Sequence, residues 1–124
     1  MIRLLLIYVC FFAVAFVAAP AVAVDDSPPV FLSAMPDVPV MQGLRELPEH
    51  GVMFDKPGGR IIESVAQVDS GSWAQIQSYY REALPQLGWS ILSDDIYVRG
   101  DESLHLEFEE IDADNFVRIT IAPR

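Results

Sequence analysis

The densest run of chemically capable side chains in this sequence lies between residues 101 and 114. Asp101, Glu102, Glu107, Glu109, Glu110, Asp112 and Asp114 follow one another there with no lysine or arginine among them. Carboxylate oxygens converging on one point hold hard cations such as calcium, and Asp112-Ala113-Asp114-Asn115 echoes the opening positions of a calcium-binding loop. Glu109, Asp112 and Asp114 are therefore the candidate metal ligands. The glycine turn and distant bidentate glutamate of a complete EF-hand are missing, and a solvated strand face partnered by Arg118 accounts for the same residues.

Other chemistries find less support. Paired carboxylates act as general acid and base only when they flank a cleft with their pKa values pushed apart, and a short domain with one helix offers little room for a cleft. His50 and His105 have neither a cysteine nor a second histidine at ligand spacing, which argues against zinc. Ser72 reads as a helix cap rather than a nucleophile, and no serine stands in a nucleophile-elbow context. Gly58-Gly59-Arg60 suits a hairpin turn better than a phosphate cradle, because no helix follows to offer its amides. No motif for a cofactor is present.

The elements that must position these residues can be read from the apolar period. Gly51 to Phe54 and Arg60 to Val68 flank Asp55-Lys56-Pro57-Gly58-Gly59 and predict a hairpin. Ser72 and Gln75 form a capping-box pattern at the start of a helix from Trp73. Its residues Trp73, Ile76, Tyr80, Ala83, Leu84 and Leu87 recur at helical spacing on one face, and Gly88 supplies the left-handed residue that ends it. Beyond Trp89 the period falls to two, and turn residues at 93–95, 100–102 and 112–115 divide the remainder into four strands.

The predicted order is β-β-α-β-β-β-β, an α+β fold with an antiparallel sheet and one amphipathic helix packed on one face. A four-residue last turn sets Phe108 opposite Ile119 and Glu109 opposite Arg118. A three-residue turn over 100–102 sets Val98 opposite Leu104. The helix then covers Ile91, Val98, Leu104, Leu106, Phe108, Val117, Ile119 and Ile121, while Leu92, Tyr97, Arg99, His105, Phe116 and Arg118 point outward as candidate partner-binding residues. Two occupants compete for that outward face: a partner, or the proline-rich strap at residues 24–42, whose apolar residues from Val30 to Met41 are too many for a solvated linker. An open sheet edge offers a third mode of association.

Residues 1–23 read as an export signal. Arg3 gives a positive start, Leu4 to Val17 form a short uncharged apolar run, and Ala21-Val22-Ala23 supplies small residues for cleavage before Val24. Cys10 leaves with that segment, so the mature chain of residues 24–124 carries no cysteine and no disulfide. The formal charge of the whole chain is −10, and loss of Arg3 makes it one unit more negative. An acidic surface repels phosphate, which excludes nucleic acid as a natural partner, and membrane association is expected only if the N-terminal segment stays uncleaved.

The run Tyr79-Tyr80-Arg81-Glu82-Ala83-Leu84-Pro85-Gln86-Leu87-Gly88-Trp89 and the turn Phe54-Asp55-Lys56-Pro57-Gly58-Gly59-Arg60-Ile61 resemble an uncharacterised group of small exported Gram-negative bacterial proteins. The likeness spans about residues 35–122. It implies a periplasmic setting and the fold just described, and it carries no activity. The sequence thus points to a periplasmic or secreted, non-enzymatic domain that binds a protein or envelope component. Cation binding by residues 101–114 is the alternative, and a small hydrolase stands further back.

Overall fold

The computed structural model describes residues 20, 21 and 26–124. Apart from Pro20 and Ala21, the predicted export segment with Cys10 and its cleavage point lies outside the described residues. Among the described residues seven strands and one α-helix follow in chain order: β1 (Leu44–Glu46), β2 (Val52–Lys56), β3 (Gly59–Val68), α1 (Trp73–Gln86), β4 (Ser90–Ser93), β5 (Ile96–Arg99), β6 (Glu102–Ile111) and β7 (Asp114–Pro123). All pairings are antiparallel and form one sheet in the order β1-β3-β7-β6-β5-β4. β2 also pairs with β3, taking its first half while β1 takes its last three residues, so both lie along the same edge. The fold is α+β with one helix and an antiparallel sheet, as the sequence predicts, but β1 stands ahead of the six strands expected, in the stretch just after the strap. Among the described residues no helix is long and apolar enough to cross a membrane.

The helix forms where its signals stand. The Gln75 amide donates to Ser72 Oγ (3.2 Å), and the Ser72 amide donates to Gln75 Oε1 (2.9 Å), so two otherwise orphaned N–H groups are satisfied. At the other end Gly88 takes φ +91°. This lets the amides of Trp89 and Gly88 reach back to the carbonyls of Leu84 and Pro85, a Schellman closure that buries Trp89 beside Leu84. Ile76, Tyr80 and Leu84 are fully buried, and Gln75, Ser78 and Glu82 face solvent.

Several turns are tighter than in the reading of the sequence, Pro57-Gly58 in place of residues 55–59 among them, and two of these alter the expected strand pairing. β6 and β7 are joined by Asp112 and Ala113 alone, both at positive φ, so Phe108 lies opposite Val117, Leu106 opposite Ile119, and Glu107 opposite Arg118. The register is thus shifted by two residues from expectation, which leaves every side chain on its expected face. The turn between β5 and β6 is Gly100-Asp101, two residues rather than three, and pairs Arg99 with Glu102 and Tyr97 with Leu104. One residue fewer exchanges the faces of β5: Tyr97 is 0 % exposed beneath the helix, and Val98 shares the outer face with its partner Ser103.

The strap packs on the helix side. Leu32, Met35 and Val38 are buried in the same core as Ile62, Tyr80, Trp89, Tyr97 and Ile119. Tyr80 donates its buried hydroxyl to the Pro39 carbonyl (2.8 Å), and Asp37 pairs with Arg99 (2.7 Å). Ser33 donates through both its amide and its hydroxyl to Glu46 on β1. Strap and helix together therefore cover one face of the sheet; of the two occupants weighed for the outward side chains, the strap meets only those that turn to the helix side, Tyr97 and Arg99, and leaves the opposite face uncovered.

Candidate functional site

Strand alternation dictates what the other face displays. Residues directly opposite each other share a face, so the pairings Glu63–Thr120, Val65–Arg118, Gln67–Phe116, His105–Thr120, Glu107–Arg118 and Glu109–Phe116 align one continuous outer surface across β3, β7 and β6. Arg118 sits at its centre. Its Nη1 donates to Glu63 (2.7 Å) and its Nη2 to Glu109 (3.0 Å), so the expected Arg118–Glu109 partnership forms diagonally across the ladder. Nε of Arg118 is buried and has no hydrogen-bond partner among the described residues. The guanidinium is held above its usual pKa, chiefly by the bond to Glu109; partial desolvation opposes this, and the nearby charges of Glu63, Glu109 and Glu107 add to it.

Around this ion triad the surface is concave. The chain between β1 and β2 leaves the sheet at Leu47, makes a single 3-10 turn at Pro48–His50 and returns, so the edge of β3 is briefly unpartnered by a strand. Leu47 and His50 form one wall, Val65 and the triad the floor, and Phe116 and Ile111 the opposite side of a groove of about 330 Å³. Leu47 is tied down by donating its amide to the Val65 carbonyl (2.8 Å). Ile111 remains 53 % exposed at the end of β6.

The structure divides the six predicted partner residues. His105, Phe116 and Arg118 lie on the outer face, with His105 Nε2 3.3 Å from Ser103 Oγ. Tyr97 lies beneath the helix instead, where burial pushes its phenol pKa up. Arg99, two residues further along the same strand, turns with it to the covered side. There it stacks 4.2 Å over the Trp89 ring, donates to the Leu87 carbonyl and pairs with Asp37. Leu92 is 62 % exposed on the edge strand β4, separated from β7 by β5 and β6.

Glu109, Asp112 and Asp114 do not assemble as metal ligands. Glu109 is engaged by Arg118, Asp112 sits in the tight turn, and Asp114 pairs with Ile111 in the ladder. Among the described residues no three His, Cys, Asp or Glu side chains come together as a metal-binding group. A wider hollow of about 710 Å³ lies over the exposed side of the helix, open to solvent between Gln42, Ser78 and Glu82.

Glu63, Leu47, Val65 and Ile111 are the groove residues that the sequence reading overlooks. The signal for Glu63 was present: it interrupts the apolar run of β3 at a position that alternates away from Ile62 and Ser64. The expectation of little cleft also needs correction, since a crevice containing two carboxylates exists, on the face opposite the helix. Both carboxylates are held by one guanidinium, an arrangement unlike the separated acid and base that hydrolysis requires. No family model matches this chain, and neither does any curated protein or solved structure.

Proposed function

We propose that this chain is an exported, non-enzymatic interaction or accessory protein of the cell envelope, which holds a partner protein or envelope component on its outer sheet face. The observation that carries this reading is the bareness of that face. The helix and the strap are both spent on the other side, so Arg118 and the groove around it stay open to solvent. An antiparallel sheet tolerates water on one face when that face is polar. Here apolar Val65, Phe116 and Ile111 interleave with ion-paired side chains, the mixture of apolar anchors and arginine that recognition surfaces favour. Export rests on the composition of residues 1–23. The likeness of residues 54–61 and 79–89 to small exported Gram-negative proteins supports a periplasmic setting.

The test is crosslinking in the living envelope from two exposed positions on opposite faces. A photoreactive residue at Glu107, on the outer face, is expected to capture a discrete species that the same residue at Glu82, on the helix, does not. Capture of the same species from both positions, or of nothing from either, would end the proposal.

A further inference from the structure

We infer that the outer groove takes a cationic, amphipathic peptide segment of a partner. A bulky apolar side chain would seat between Leu47, Val65, Ile111 and Phe116, with a lysine or arginine beside it over Glu107 and Glu109. This deepens the interaction reading above and rests on it.

Charge selects the occupant. Glu63, Glu107, Glu109 and Asp114 share this end of the outer face with Arg118, Arg45 at its β1 edge is already paired with Asp69, and Glu49 stands next to His50 on the turn at the rim. Arg118 neutralises only part of that charge. An anionic ligand is disfavoured although an arginine lies in the floor, because both terminal nitrogens of Arg118 are already bonded to carboxylates. A phosphate would have to displace Glu63 or Glu109 and then lie against it. A second copy of this chain is disfavoured for the same reason, since two acidic faces repel. A cation approaching over Glu107 meets an exposed carboxylate that no ion pair engages among the described residues, and the field of a strongly acidic chain speeds its approach.

Shape selects the rest. The groove walls present aliphatic and aromatic carbon, and Ile111 leaves apolar surface in water that an incoming side chain would cover. Charge alone would attract any polycation, whereas the groove adds a requirement for an apolar side chain next to the charge.

The test uses the mature chain and short fluorescein-labelled peptides of alternating lysine and leucine, lysine and serine, or glutamate and leucine, read by anisotropy. The lysine–leucine peptide is expected to bind about tenfold or more tightly than the lysine–serine peptide, from burial of one apolar side chain. No binding of the glutamate–leucine peptide is expected. Ile111→Ser should erase the advantage of leucine, and Glu107→Gln should weaken both basic peptides and flatten their salt dependence. Both residues are exposed, so the variants should keep the far-ultraviolet circular dichroism of the parent, and Leu92→Ser, outside the groove, should bind as the parent does. Equal affinity for the two basic peptides, or a leucine advantage that survives Ile111→Ser, overturns the inference. Crosslinking from Glu107 to a discrete partner while the peptides fail to bind would overturn it and leave the interaction reading standing. Peptide binding without any envelope crosslink would do the reverse.

Discussion

Truncating Leu32 tests whether the strap belongs to the core, on which the bareness of the outer face depends. Leu32 is 2 % exposed. Its amide donates to the Val38 carbonyl (2.9 Å) and its own carbonyl accepts from Met35 (3.2 Å), so the tight turn around it has little freedom to collapse into a vacated space. A buried Leu→Ala change costs about 2–5 kcal/mol from lost transfer energy and the residual cavity. Taking about 3 kcal/mol, and about 4–8 °C of melting temperature per kcal/mol for a domain of this size, Leu32→Ala should lower Tm by about 12–24 °C. Val30→Ala, two residues earlier and 65 % exposed, is the matched control and should change stability by no more than about 0.5 kcal/mol. Circular dichroism melts of the two variants decide the matter, and hydrogen exchange adds a second reading. The amides of Leu32, Val38 and Val40 are bonded within the strap and should exchange slowly. If Leu32→Ala melts where Val30→Ala does, the strap is not part of the core on the helix side, and the outer face loses its claim to be the uncovered one.

Three further measurements bear on the fold. Ala113 holds φ +69° without being glycine, so Ala113→Gly should stabilise the β6–β7 turn by about 0.5–1 kcal/mol, relief of left-handed strain exceeding the added entropy of the unfolded chain; an unchanged or lower Tm would contradict that geometry. The hydroxyl of Tyr97 is buried and has no hydrogen-bond partner among the described residues, so Tyr97→Phe should leave stability unchanged or raise it by up to about 1 kcal/mol, and a clear loss would reveal a bond to that hydroxyl. Burial raises the pKa of both Tyr80 and Tyr97. An unfolded chain ionises its tyrosines near pH 10, so above that pH the unfolded state sheds protons that the folded state keeps. Stability is then full below about pH 10 and falls as pH rises toward the folded-state values. Phenolate absorbance should therefore rise together with loss of structure, and ionisation of all the tyrosines near pH 10 in an intact fold would refute the burial.

What was legible in the sequence was local. Ser72 with Gln75, Gly88 after the helix, and the stretch 55–59 between two apolar runs each mark a backbone event within a few residues; the cap and the helix end form as read, and the hairpin forms with a tighter turn, Pro57-Gly58, than the five residues expected. The alternation in β6 and β7 assigned their faces correctly, although Asp112-Ala113 makes a tighter turn than its four polar-flanked residues suggested. β5 was illegible for a physical reason. Ile96, Tyr97 and Val98 are all apolar, so alternation could not say which side is covered, and a one-residue difference in turn length decided it. The strap was hidden differently: its apolar residues announced that it packs, but on which face is set by the three-dimensional core it shares with Tyr80, Trp89 and Tyr97, which no local pattern shows. The groove was least accessible to inspection, because Leu47, Glu63, Val65, Ile111 and Arg118 come from four separate stretches that register alone brings together.

The 3-10 turn at Pro48–His50 contributes no buried residue. Substitutions at Pro48, Glu49 and His50 can therefore alter the wall of the groove without drawing on the core, and loop exchange there should redirect selectivity at little cost in foldability. Evolution or an engineer could retarget this scaffold by editing one short interruption in a sheet edge, leaving the architecture that carries it untouched.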